Sequence, residues 1–355
     1  MQTDLALQAI LPYLQNITEK TLWYADENAE ALIDAIPANN HLTLVSNRYD
    51  IYEKASAKKI NAIFSDFDLN DYQQSQLQEK FTHIVYRVSK EKALVNFLCN
   101  QAADLLSDNG KFVISGYKQE GIKSHAKNIN KVLGAKGQLK KIGVFYLGEF
   151  LSLSRDEKLD DKQYAEIAKV ATKSLKKGYF FSKPGVFGWN KIDKGTELLL
   201  SKTQHILQTE NNERKEVLDL GCGYGWIFLN IAQNPSLAIT ATDNNAAAII
   251  CSEKNRNECE NPESIEVIAG DCSNTIQKQY DFILCNPPFH QGFKHAKALT
   301  AKFITACKHR LKPSGTAFFV LNEFVAIDDN IEQAALKQTL LAKELGFKVI
   351  SIQHR

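Results

Sequence analysis

Residues 216–229 read EVLDLGCGYGWIFL. Five mostly apolar, strand-forming residues lead into three glycines, Gly221, Gly223 and Gly225, and the apolar stretch that follows suits a helix to about Gln233. Strand, glycine turn and helix in that order open a βαβ crossover. Glycine at such a turn permits positive φ and lets the backbone approach a ligand closely. A nicotinamide-binding turn spaces its glycines G-x-G-x-x-G, so that a pyrophosphate meets a helix N-terminus. Here the third glycine comes one residue early, and an acid, Asp219, stands two residues before the first.

Downstream the same alternation continues. LAITATD (237–243) is a strand, 245–258 a helix, SIEVIAG (264–270) and DFILC (281–285) strands, 296–311 a helix and GTAFFVL (315–321) a strand. Strands alternating with helices predict an α/β fold with a mostly parallel sheet and right-handed crossovers. Three strand ends carry polar residues: Asp243, Asp271 in AGDCSN (269–274), and Asn286 in CNPPFHQG (285–292). Pro287 and Pro288 cannot extend a central strand, so the chain must turn there. That leaves Asn286 and Phe289 at the carboxyl edge, where open α/β sheets bind ligands. Either aspartate alone reads equally well as a helix N-cap. The tail is ambiguous: IEQAALKQTLLAKELGF suits one helix, whereas QTLLAKELGFKVISIQ suits two strands around Leu345-Gly346.

Four features in this order, one per strand end, resemble the class I S-adenosylmethionine methyltransferases. The resemblance implies that Asp219, with Gly221 and Gly223, holds the methionine end of S-adenosyl-L-methionine. Asp243, 24 residues after Asp219, would bind the ribose hydroxyls, and Asp271 would meet the adenine amino group. Asn286 would border both cofactor and substrate. The run Asn286-Pro287-Pro288-Phe289 matches the signature of enzymes that methylate a nitrogen conjugated to a π-system. Such a nitrogen is a poor nucleophile because its lone pair is delocalised. The Asn286 side-chain carbonyl and the Pro287 backbone carbonyl would each accept one N–H, and Phe289 would stack on the base. Catalysis would then come from orientation and electrostatic preorganisation.

With KPGVFGWNKIDKGTELLL (183–200) upstream, the resemblance narrows to the bacterial ribosomal RNA guanine-N2 methyltransferases. The single Asp-x-Gly of IDKG is more similar to the small-subunit (16S rRNA) enzymes than to the large-subunit (23S rRNA) ones. This implies that Phe187 and Gly188 lie in a segment covering the cofactor, and that His290 follows the catalytic turn on the RNA side. It also implies a seven-stranded sheet ending in an antiparallel hairpin, and a first half that assists RNA binding and folding without a cofactor of its own. One departure is NEFVAID (322–328), where a more basic or aromatic stretch is expected. A protein-glutamine methyltransferase is disfavoured by Phe289 and by the lysine clusters. A non-catalytic RNA-binding protein is disfavoured by the intact Asn-Pro-Pro-Phe.

The first half has its own strands, LTLVS (42–46), NAIFS (61–65), THIVYRV (82–88), KFVISG (111–116) and GVFYLG (143–148), with a helix over 91–107. KALVNFLCNQAADLLSDNGKFVIS (92–115) aligns without gaps on KALTAKFITACKHRLKPSGTAFFV (297–320), at an offset of 205. Lys-Ala-Leu, the Leu106/Leu311 pair and the Gly110/Gly315 pair fall in register. The expectation is two tandem Rossmann-like domains, the first a degenerate copy, because it lacks the glycine triplet and has RVSKEK where the second has NPPFHQ. The proposed division is 1–152 as a methyltransferase-like, non-catalytic RNA-handling domain, 153–182 as a connector, and 183–355 as the catalytic domain.

Charge supports a polyanionic partner. The chain has 355 residues and a net charge of +2, yet Lys118–Lys141 holds seven lysines against one acid, and Lys169–Lys183 holds five and no acid. Lys123, Lys127 and Lys131, spaced by four on a helix over 122–134, and Lys176 and Lys177 are the candidate RNA contacts. Seven cysteines, odd in number and without a C-x-x-C, show no metal-ligand spacing and argue against a disulfide framework. The N-terminus lacks a basic region followed by an apolar core, and no apolar run approaches the ~20 residues that span a membrane. A cytoplasmic monomer acting on 16S rRNA of the 30S subunit, with no membrane partner, is expected.

Overall fold

The structure, a computed structural model, describes residues 4–69, 80–207, 213–288 and 293–355. The chain forms two compact units, Met1–Glu166 and Ile167–Arg355. The segment 153–182, expected as a connector, is divided between them. Leu159 and Tyr164 are buried in the first unit's core, and Asn100 bonds both the N–H and the carbonyl of Leu159. A short hairpin, β8 (Ala168–Ala171) and β9 (Tyr179–Ser182), belongs to the second unit: Phe180 joins its core and Phe181 N–H donates to Asn255.

In the first unit the strands are β1 (Thr21–Ala25), β2 (Leu42–Ser46), β3 (Asn61–Phe64), β4 (Phe81–Arg87), β5 (Leu106–Tyr117), β6 (Lys136–Ile142) and β7 (Phe145–Leu151). Their order across the sheet is β3-β2-β1-β4-β5-β7-β6. In the second they are β10 (Lys215–Leu220), β11 (Leu237–Asp243), β12 (Ile265–Ala269), β13 (Tyr280–Cys285), β14 (Leu311–Asn322), β15 (Leu336–Glu344) and β16 (Phe347–His354), in the order β12-β11-β10-β13-β14-β16-β15. The two orders are the same. In each sheet only the last two pairings are antiparallel. Each sheet has an apolar cluster on both faces, as a parallel sheet with helices on either side requires.

The repeat extends to single residues. β5 and β14 begin and end at positions 205 apart, and each has one register irregularity, between Phe81 and His83 in one unit and Tyr280 and Phe282 in the other. A Cβ on Gly110 would come within 3.0 Å of the Phe81 carbonyl, and one on Gly315 within 2.9 Å of the Tyr280 carbonyl. Both glycines are therefore fixed by the same close backbone approach. The tail takes the two-strand form. Leu345 and Gly346 both have positive φ (56° and 80°), as a two-residue hairpin turn demands, and one helix through this stretch is excluded.

Candidate active site

Strand β10 lies centrally, with β11 on one side and β13 on the other, so its carboxyl end is the point where the chain order reverses. Pairing of Leu220 with Thr242 and with Cys285 brings the glycine turn, Asp243 and Asn286 to one edge, and pairing of Asp243 with Ala269 places Asp271 two residues beyond it. All three glycines have positive φ. At Gly225 a Cβ would lie 2.1 Å from the Phe228 ring, so only glycine fits, whereas at Gly223 the nearest atom is Val186 at 3.9 Å. The turn is held from β11: Thr242 O accepts from Gly221 and Cys222, and Asp243 Oδ2 accepts from Gly223 N–H at 2.9 Å. Asp243 Oδ1 accepts from Asn245 N–H at 2.9 Å.

Asp219 is fully buried. Its Oδ2 accepts a long bond (3.3 Å) from Phe228 N–H, and its Oδ1 has no partner. Burial pushes the carboxyl up to about 8; the Phe228 bond opposes this and Asp243 adds to it. A buried carboxyl in this state lacks a cation. Because the folded-state value is raised, the associated stability is fully present below the unfolded carboxylate value of about 4 and is lost as pH rises towards 8. The Tm of the cofactor-free protein should therefore fall more steeply across that window than the Tm of Asp219→Asn. Parallel Tm–pH profiles for the two would refute the assignment.

Asn286 is half-buried, and its Nδ2 donates to Asp193 Oδ1 and to Thr196 Oγ1, both at 2.8 Å. Asp193 N-caps the helix Lys194–Thr203 by accepting from Thr196 N–H. Asp193 is the acid of the Asp-x-Gly in IDKG and Thr196 follows that motif directly, but the sequence pattern assigns neither side chain a partner. Pro287 is buried beside Asn286. Phe289 and His290 lie outside the described residues. Asp271 is ion-paired with Lys302, and its N–H donates to Asn274. Phe187 is 56% exposed, in a segment fastened to the glycine turn's neighbours by Asn245 Nδ2 donating to Gly185 O and Tyr224 Oη donating to Lys191 O. Among the described residues no cluster could hold a metal, all seven cysteines are free, and no helix is long and apolar enough to cross a membrane.

The first unit's matching edge is different. Strand registers put Trp23 where the second unit has Asp219, Ser46 where it has Asp243, and Arg87 where it has Asn286; only Asp66 repeats the acid, at the position of Asp271. Arg87 is locked to Asp4 (3.0 Å) and Glu120 (2.8 Å). Tyr24, Phe67, Tyr86 and Tyr164 are all buried there, with Tyr164 Oη donating to Asp66.

The candidate RNA lysines divide into two settings. Lys123, Lys127 and Lys131 stand exposed on the helix Ile122–Val132, whose inner face buries Ile122, His125, Ala126 and Ile129. Lys123 Nζ lies 5.1 Å from the Tyr146 ring centroid. Lys176 is exposed beside the β8–β9 hairpin, but Lys177 is half-buried, and burial pushes its ammonium down.

This strand order, with a glycine turn backed by two strand-end carboxylates and facing an Asn-Pro-Pro turn, defines a class I methyltransferase that uses S-adenosylmethionine. Residues 177–351 match the family model "Methyltransferase small domain", and residues 8–142 match "Methyltransferase small domain N-terminal". Ribosomal RNA small subunit methyltransferase C of Actinobacillus succinogenes is 33% identical over 76% of this chain and 78% of its own length. The Marinomonas protein of that name is 26% identical over 91% of this chain and 94% of its own. The chain belongs to the ribosomal RNA small subunit methyltransferase C family. A T. thermophilus 16S rRNA N2 methyltransferase (RsmC), solved in complex with AdoMet and guanosine, has the same fold, with a TM-score of 0.78, 19% identity and coverage of 100% of this chain and 93% of that one. The residues present fit the cofactor: Asp219 offers a buried, unpartnered oxygen to an ammonium, and the backbone at Gly223 is open.

Proposed function

We infer that the second unit methylates the exocyclic N2 of a guanine in 16S rRNA, and that the first unit handles RNA without a cofactor of its own. The observation that carries the chemistry is the Asn286 amide, held by both N–H donors at the strand edge beside the glycine turn. S-adenosylmethionine, when bound, supplies an electrophilic methyl on a sulfonium. Asn286 Oδ1 and the Pro287 carbonyl accept the two N–H bonds of the guanine amino group. Both bonds strengthen as the nitrogen becomes tetrahedral and positive, so they favour the transition state over the ground state. Incubating the protein with labelled cofactor and separate 16S and 23S rRNA, naked and in subunits, tests the assignment. Label at guanine N2 of 16S rRNA is expected; label confined to 23S rRNA or to a protein glutamine overturns it.

The RNA-handling role rests on what the first unit retains and what it has lost. It keeps the scaffold, replaces Asp219, Asp243 and Asn286 by Trp23, Ser46 and Arg87, and presents three lysines at four-residue spacing along one exposed helix side. Each lysine that neutralises a phosphate releases counterions, so affinity should fall steeply with salt. Replacing Lys123, Lys127 and Lys131 by Ala is expected to weaken rRNA binding and flatten its salt dependence, with cofactor affinity unchanged. Titrations at two salt concentrations decide this; an unaltered slope would assign the lysines to a merely solvated face.

A further inference from the structure

We propose that Asp193, with Thr196, is a positioning residue that fixes the acceptor end of the Asn286 amide towards the substrate. The proposal rests on the reading of Asn286 as an acceptor for the reacting amino group. A terminal amide has two nearly equivalent orientations about χ2. Only one is productive, because the flipped amide would point its own N–H donors at the N–H donors of the substrate. Asp193 decides between them on chemical grounds: a carboxylate can only accept, so it must face the amide nitrogen. Its Oδ1 receives Asn286 Nδ2 at 2.8 Å, and Thr196 Oγ1 receives the same nitrogen at 2.8 Å while donating to Asp193 at 3.2 Å. Both amide hydrogens are thereby used, and Oδ1 remains as the acceptor.

A purely structural reading makes Asp193 an N-cap. That accounts for its bond from Thr196 N–H at 2.9 Å, but not for the convergence of the two side chains on a residue 93 and 90 positions away. Gly195 is part of the arrangement. A Cβ there would lie 3.0 Å from Asp193 Oδ1 and 3.0 Å from the Phe347 ring, so a side chain would press on the carboxylate.

Asp193→Ser separates the two roles, since serine caps a helix well but is too short to reach Asn286. Single-turnover methyl transfer to rRNA should fall at least tenfold in Asp193→Ser, with Tm, cofactor affinity and RNA affinity close to the parent. Asp193→Asn, which keeps the accepting oxygen, should recover most of the rate. The double variant Asp193→Ser/Asn286→Ala should be no slower than Asn286→Ala, because the first change acts only through the second residue. A rate for Asp193→Ser within twofold of the parent, or losses that multiply in the double variant, would overturn the proposal. Should Asp193→Ser fail to fold, Thr196→Val leaves the carboxylate in place and is expected to lower the rate several-fold; an unchanged rate is equally fatal. If Asn286→Ala itself retains activity, the acceptor reading fails first. A slow Asn286→Ala beside a normal Asp193→Ser defeats only the positioning role.

Discussion

Asn286→Ala is expected to slow methyl transfer by roughly 10²–10³, the usual cost of losing one preorganised hydrogen-bond partner of a transition state. S-adenosylmethionine affinity should change little, because the bonds that hold Asn286 run to Asp193 and Thr196 rather than to the glycine turn. The loss should appear in the rate of the bound complex, since an amino nitrogen gains most from a carbonyl acceptor only as it becomes tetrahedral and positive. Single-turnover kinetics at saturating RNA isolate that step. Near-parental turnover would remove the Asn-Pro-Pro-Phe mechanism. A large effect confined to RNA affinity would make Asn286 a docking residue instead.

The site was legible in the sequence wherever a residue closes a strand. Asp219, the glycine turn, Asp243 and Asn286 each follow an apolar run directly, and the β11 strand falls where LAITATD was read, residue for residue. Two strands of the first unit were not read. β1 (TLWYA) is buried at all five positions, so it shows no alternation, and no glycine turn marks its end. β6 (KGQLKKI) is a mostly exposed edge strand, and its lysines register as charge before they register as structure. Lys136, Lys140 and Lys141 all lie on this strand. Asp193 and Thr196 meet Asn286 only through the tertiary fold, as does the Arg87 cluster with Asp4 and Glu120. No local pattern announces such pairs.

The first unit departs from the second in packing as well as in chemistry. Its strand edge is closed by apolar and aromatic bulk and by a paired arginine, so restoring a single acid would not restore a site. Trp23 fills the position of Asp219 on one face of the sheet, and Tyr24, Tyr86 and Tyr164 are buried in the core on the other face. A carboxylate introduced at Trp23 would be buried without a partner, a change that is strongly destabilising. The same strand order thus carries a glycine turn in one unit and, in the other, an edge packed with buried side chains and a helix, Ile122–Val132, with exposed lysines.

Asp243→Ala should weaken S-adenosylmethionine binding by more than tenfold, for two reasons that act together. The resemblance assigns the carboxylate to the ribose hydroxyls, and a hydrogen bond to a charged group contributes about 1.5–3 kcal/mol, so losing one already exceeds a factor of ten. The structure adds a second cost, because the same carboxylate anchors the turn: its two oxygens accept from Gly223 and Asn245 N–H, each at 2.9 Å. Alanine removes the ligand contacts and the brace of the glycine turn at once. Asp243→Asn should also bind weakly, since its amide nitrogen would face one of those two N–H donors. The charge has a separate signature: Asp243 helps to raise the Asp219 carboxyl. Its loss should move the pH at which the cofactor-free protein loses stability downward, below about 8. Calorimetry across pH reads both effects. Unchanged affinity in Asp243→Ala would sink the ribose assignment, and weak binding with an unmoved pH transition would show that Asp219 is insensitive to its neighbour's charge.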